Sequence, residues 1–176
     1  VIRAPTGAGV QLGATHSQSF ETWLAEVPGM KVVCPSNSYD ALGLMRSAIK
    51  DNNPVLVAEP ALLYGTKGEV PDEYYEVEIG KAYVTRTGGD VTLISYGYGM
   101  RPVNEAADKL AERGVSAEVI DLRSLSPLDM DAIVASVQKT NRVVVVDTAR
   151  RIGGMMAEVS AELQQRAVEW LDGPVM

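Results

Sequence analysis

His16 is the only histidine in the chain, and it lies in a glycine-rich stretch from Gly7 to Ser19 that reads as a loop between a strand end and a helix. Imidazole is the side chain best suited to moving protons near neutral pH, and loops at the carboxyl ends of parallel strands are where such sheets bind ligands. A loop histidine that merely bonds nearby backbone is the plain alternative. A single His without Cys or acid partners at ligand spacing argues against a zinc site. Gly7, Gly9 and Gly13 miss the dinucleotide fingerprint, because the last gap is one residue too long; Gly97 and Gly99 supply only its first half. Ser17 and Ser19 lack a nucleophile-elbow context, so a Ser-His hydrolase, the rival chemistry, would have to use His16.

A second candidate lies at Asp51-Asn52-Asn53-Pro54, which closes a helix before a strand. The plain reading is a turn in which Asn and Asp tolerate unusual backbone angles. The chemical reading is that the backbone carbonyls of Ala48, Ile49, Asp51 and Asn53, left over at the helix end, converge on a hard monovalent cation. Cys34, the sole cysteine, sits in an apolar run and reads as a small buried hydrophobe. The pair Met155-Met156 reads as core or interface packing.

The elements that position these residues follow from periodicity. Short β-branched runs alternate with helical stretches, the pattern of βαβ units and a parallel sheet. Val1-Ile2-Arg3, Lys31 to Cys34, Val55 to Ala58, Val91 to Ser95, Ala117 to Ile120 and Val143 to Val146 read as strands. Asn37 or Ser38 is expected to cap a helix whose face is Ala41, Leu44, Met45, Ala48 and Ile49. Further helices are expected over Val103 to Ala111, from Ser126-Pro127 through Val137 with Pro at its start, and along Met156, Val159, Leu163, Ala167 and Trp170 to a stop at Gly173-Pro174. The all-apolar run Val143 to Val146 is expected to lie in a sheet covered on both faces. From Pro60 to about Gly80 the period stops, and Asp72, Glu73, Glu76 and Glu78 form an acid run without a base, read as a solvated linker. The chain thus reads as two α/β pieces joined by a linker.

Composition narrows the classes. The chain has 176 residues, 46% hydrophobic and 22% charged, which excludes disorder as its main state. Its longest aliphatic run is Val143 to Val146, whereas a membrane span needs about 20 residues. A net charge of −7 without a basic cluster excludes nucleic acid as the main partner. A single cysteine allows no internal disulfide and fits a reducing compartment, a bacterial cytoplasm or an organelle matrix. Without an initiating Met, and with strand-like sequence at both ends, the chain is expected to be a piece of a longer protein.

The runs His16-Ser17-Gln18-Ser19-Phe20-Glu21, Pro28 to Val33, Ala48 to Pro54 and Leu63-Tyr64-Gly65 resemble, in order and spacing, the β subunits of thiamine-diphosphate-dependent 2-oxo acid dehydrogenases. The stretches Val119 to Asp129 and Gly153-Gly154 extend the resemblance, which covers nearly the whole chain. It implies a parallel-sheet pyrimidine-binding half-domain over residues 1–65, a linker over 66–80, and a transketolase C-terminal-like three-layer α/β domain over 81–176. It implies an α2β2 assembly, oxidative decarboxylation of a 2-oxo acid, most simply pyruvate, and acyl transfer to lipoamide on the lipoyl domain of an acyltransferase. Acetoin and branched-chain 2-oxo acids are the alternative substrates, and a purely structural module is the alternative role for these residues alone. In the family the histidine matching His16 lines the channel to the cofactor and exchanges protons with the reaction intermediate and the incoming lipoyl group. Carbonyls matching Ala48, Ile49, Asp51 and Asn53 hold a structural potassium ion, with a further ligand just before Val1. The activating glutamate lies upstream, and the α subunit holds the diphosphate and its Mg2+. Glu59, at a strand end, is read as a structural carboxylate and not as that glutamate.

Overall fold

The computed structural model describes residues 1–7 and 9–176; Ala8 of the His16 loop lies outside them. Two four-stranded, mainly parallel sheets carry the fold. In the first, β1 (Ile2–Thr6) and β2 (Lys31–Val33) flank β3 (Val55–Pro60) in parallel, with α1 (Glu21–Ala25) and α2 (Ser38–Lys50) as crossovers. In the second, β5 (Val91–Ser95) lies between β6 (Ala117–Asp121) and β8 (Val143–Val145), all parallel, and β4 (Tyr83–Arg86) adds an antiparallel edge to β6. The remaining elements are α3 (Met100–Ala111), β7 (Ser124–Ser126), α4 (Met130–Thr140) and α5 (Met155–Arg166).

Strand β7 is the feature that periodicity missed. The chain steps from one sheet to the other within two residues: the Leu122 amide donates to the Ser95 carbonyl, while the Arg123 carbonyl accepts from the Cys34 amide. Strand β7 then pairs antiparallel with β2, so the second half of the chain closes an edge of the first sheet. This corrects the expectation that Pro127 opens a helix. The tripeptide Ser124–Ser126 finds backbone partners on β2, and α4 starts later, with Asp129 as its cap accepting the Ala132 amide at 3.3 Å. One continuous core joins the sheets, with Val32, Leu56 and Ala58 packed with Ile94, Ile120, Leu122 and Leu125.

Four other expectations are corrected. Strand β8 is an edge strand and only Val143 is fully buried; its outer side pairs with Met176, whose carbonyl accepts the Val145 amide. Helix α5 ends at Arg166, short of Gly173, and a single 3-10 turn over Val168–Trp170 follows. Ile49 points outward, 68% exposed, because it lies about 100° around the helix from buried Ala48. The segment before β4 is no free linker. Tyr75 and Val77 pack on α2, the Val77 carbonyl accepts from Ser47 Oγ at 2.6 Å, and Glu76 has a base after all in Lys50. Gly43 makes this docking possible, since a Cβ there would stand 2.4 Å from Val77 Cγ2.

Candidate functional site

The carboxyl ends of β1, β2, β3, β5 and β8 converge on one region, as parallel sheets require of a ligand site. The loop carrying His16 springs from the end of β1. Three glycines shape it. Gly7 and Gly13 have φ of +97° and +80°, and a Cβ on Gly9 would overlap Leu62 at 1.9 Å, so the loop crosses the turn after β3 at backbone contact. Gly7 and Gly13 thus serve left-handed turns, and Gly9 serves the close packing on Leu62.

The loop is held at its base. The Gly7 amide donates to the Gln18 carbonyl at 3.0 Å, and Gln18 Nε2 reaches the Ala14 carbonyl at 2.7 Å. His16 itself lies in a turn, its amide donating to the Gly13 carbonyl at 3.3 Å, and its ring is exposed. Among the described residues no hydrogen bond engages the imidazole, so the structure presents it to solvent instead of pairing it. Neighbouring Ser17 keeps its Oγ buried and without a partner among those residues. A Ser-His hydrolase pair is thus not formed here.

Beneath the loop lies a cavity of about 260 Å3. Its polar wall is made by Thr6, Glu21, Tyr96 and Thr148, its apolar wall by Cys34, Pro60 and Leu62. Glu21, only 3% exposed, accepts from Thr6 Oγ1 at 2.5 Å and lies 3.3 Å from the Tyr96 hydroxyl, which is 3.0 Å from Asp147 Oδ1. Burial pushes the Glu21 carboxyl above the usual range, against the pull of its hydrogen bonds to Thr6 and Tyr96. Cys34 is buried, and its thiol is pushed up by desolvation and by the acids Glu21, Asp121 and Asp147, which leaves it unreactive, as a buried small hydrophobe should be. Sequence reasoning missed Glu21, Tyr96 and Asp147 as a group. The available signal was position, since Tyr96 directly follows β5 and Asp147 closely follows β8.

Where the two sheets meet, Asp121 is fully buried and accepts from Ser36 Oγ and from the Arg123 amide at 3.1 Å. Burial, aided by the charge of Asp40, pushes its carboxyl up to about 7. The native state therefore binds a proton that the unfolded chain releases near pH 4. The stabilisation is complete below pH 4 and is lost as pH rises through 7, by up to about 4 kcal/mol well above it. We expect urea midpoints to fall between pH 5 and pH 8 in the native sequence and to fall less in Asp121→Asn, whose amide cannot ionise.

At the proposed cation turn, the Asp51 amide closes the helix on the Ser47 carbonyl. The next amides do not follow. The Asn53 amide, which would serve the Ile49 carbonyl in a continuing helix, goes to Asp51 Oδ1 at 2.8 Å, and Pro54 has none for Lys50. Lys31 Nζ bonds Asp51 Oδ2 at 2.5 Å and, with the Asn53 donors, holds that carboxyl down at about 2. The turn thus keeps Asp51 as a carboxylate and frees helix carbonyls, a donor set suited to a hard cation. Among the described residues no group of three or more His, Cys, Asp or Glu could hold a metal. Glu59 is structural as expected: its two oxygens accept from Arg3 Nε at 2.5 Å and from the Tyr64 hydroxyl at 2.7 Å.

This architecture, two parallel sheets with a loop site at their carboxyl ends, is matched by two known families: the transketolase pyrimidine-binding domain over residues 1–67 and the transketolase C-terminal domain over residues 80–176. The chain belongs to the transketolase family. Its relatives include the pyruvate dehydrogenase E1 component subunit beta of Bacillus subtilis, 48% identical over 176 residues, 99% of this chain and 54% of the relative. They also include the acetoin:2,6-dichlorophenolindophenol oxidoreductase subunit beta of the same organism, 45% identical over 99% of this chain and 51% of the relative. The chain spans about half the length of these curated relatives. Among solved structures, a split gene transketolase described as an inactive beta4 tetramer superposes with a TM-score of 0.76 at 26% identity, over 94% of this chain and 53% of that one. Among the described residues, no helix is long and apolar enough to cross a membrane.

Proposed function

We propose that the chain is part of the β subunit of a 2-oxo acid dehydrogenase, acting on pyruvate in a bacterial cytoplasm. The observation that carries the reading is His16, exposed and without a side-chain hydrogen bond among the described residues, on a loop clamped at the carboxyl ends of the parallel strands, in a chain 48% identical to a pyruvate dehydrogenase β subunit. In this reading residues 1–65 belong to the pyrimidine-binding domain, 66–80 connect, and 81–176 form the C-terminal domain.

His16 is the group of this chain that moves protons. Its ring gives or takes a proton at a nitrogen as a keto carbon is converted to an acyl group and as that group passes to the lipoyl sulfur. The Gly7–Gln18 bond clamps the two ends of the loop; His16 does not line the cavity of about 260 Å3, and in this reading the loop carries its ring to where a lipoyl domain arrives. Thiamine diphosphate supplies the electron sink when bound. By its resemblance to β subunits of this family, its diphosphate and Mg2+ are assigned to an α partner in an α2β2 enzyme. A potassium ion is assigned to the carbonyls of Ala48, Ile49, Asp51 and Asn53, where it fixes the end of α2 against β3.

Identity of 45% to an acetoin-oxidising β subunit keeps acetoin as the second reading, followed by branched-chain 2-oxo acids. The test is reconstitution of the full-length protein with its α partner, thiamine diphosphate and Mg2+ on all three substrates. Turnover is expected to be highest with pyruvate, and thermal stability higher in potassium than in lithium buffer. Absence of thiamine-dependent turnover on every substrate would remove the enzymatic reading and leave the structural module.

A further inference from the structure

We propose that Glu21 is a positioning residue that carries a proton at neutral pH, and that this proton locks the base of the His16 loop to the second sheet. The proposal follows from counting hydrogens and rests on the assignment of His16 made above. The Tyr96 hydroxyl lies between two carboxyl oxygens, Glu21 Oε1 at 3.3 Å and Asp147 Oδ1 at 3.0 Å, yet it has a single proton to give. Two ionised carboxylates would leave one contact without a hydrogen and set two negative charges across one phenol. One acid must therefore donate.

The surroundings decide which. Asp147 is partly exposed, its Oδ1 accepts the Ala149 amide at 2.8 Å, and its Oδ2 accepts the Met156 amide at 3.4 Å at the start of α5. It is fitted as an acceptor. Glu21 lies in the buried interior, facing Thr6 from β1, Cys34 from the end of β2, Tyr96 from the end of β5 and Asp147 beyond β8. None of these is a cation. Burial opposes its charge, in agreement with the upward shift of its carboxyl. The chain of donors therefore runs from Glu21 Oε1–H to Tyr96 Oη, and from Tyr96 O–H to Asp147 Oδ1.

The consequence concerns the loop. Glu21 Oε2 accepts from Thr6 Oγ1 at 2.5 Å, and Thr6 precedes Gly7, whose amide holds Gln18. One protonated carboxyl thus connects the two ends of the His16 loop to β5 and β8 of the other sheet. On ionisation, Glu21 no longer donates to Tyr96 and is repelled by Asp147. The loop base then loses its anchor to the second sheet.

Difference infrared spectroscopy of the full-length protein tests the proton, and the pH dependence of lipoyl acylation tests the lock. Recorded in an Asp121→Asn background, which removes the other buried carboxyl that holds a proton near neutral pH, the carbonyl band of a protonated carboxylic acid is expected at pH 7 and should vanish when Glu21→Gln is added. The glutamine amide can donate to Tyr96 and accept from Thr6, so this variant should keep nearly native acylation while losing the alkaline decline of the native enzyme. Glu21→Ala should lower acylation about a hundredfold, the cost of a misplaced loop. No such band, or a band unchanged in Glu21→Gln, overturns the protonation. An alkaline decline that persists in Glu21→Gln overturns the positioning role. Failure of the His16 assignment appears separately, as full acylation in His16→Ala with the infrared band intact.

Discussion

Replacing Arg123 with alanine is expected to destabilise the protein by about 3–5 kcal/mol, the usual cost of leaving a buried charge without its partner. The Arg123 guanidinium donates to Asp40 Oδ1 at 2.8 Å, reaches the Lys81 carbonyl at 3.4 Å and lies over the Tyr83 ring at 5.0 Å. Asp40, 2% exposed in the first turn of α2, has otherwise, among the described residues, only Asn37, whose Nδ2 donates at 2.7 Å. The pair connects α2 of the first sheet to the two-residue crossing between sheets, so its loss should separate the halves and not merely soften one. Arg123 also sits at φ +55°, a conformation that alanine does not relieve. Changing both partners together, Asp40→Leu with Arg123→Met, should cost less than Arg123→Ala alone, because no charge is then stranded. Urea unfolding of the three proteins gives the comparison directly.

Exchanging His16 for alanine in the assembled enzyme is expected to lower turnover by about 10²–10⁴, the span of a lost general acid–base group. The fold should not respond. His16 is exposed and its ring makes no hydrogen bond among the described residues, so the thermal transition should stay within about 0.5 kcal/mol of native. A loss of rate without a loss of stability separates a chemical role from a packing one. The plain alternative, a histidine that bonds nearby backbone, predicts the reverse.

The parallel-sheet class and most strands were legible because Val32-Val33, Val55 to Ala58 and Val91 to Ser95 are short β-branched runs between helical periods, and the central strands β3, β5 and β6 are buried on both faces. Asn37 announced α2 for a local reason: its Oδ1 accepts the Asp40 amide, a bond made within four residues. What stayed hidden was made by distant partners. Strand β7 is three residues long and exists because β2 offers an edge, while Ser126-Pro127 read in isolation favours a helix start. Val77 lies in a polar stretch and is buried because Gly43, more than thirty residues earlier, leaves room for it. The single histidine stood out by its type, and the loop that carries it leaves the end of β1. The triad of Glu21, Tyr96 and Asp147 did not stand out, because its members come from three elements and share no spacing.

Single-turnover acylation of a lipoyl domain decides whether His16 moves the protons of acyl transfer. Native protein and His16→Ala would be assembled with the α partner, thiamine diphosphate and Mg2+, and the acylated lipoyl domain quantified over time by mass. The variant is expected to bind its partner normally, keep its thermal transition, and acylate the lipoyl domain at least a hundredfold more slowly. Acylation by His16→Ala at the native rate would contradict that role.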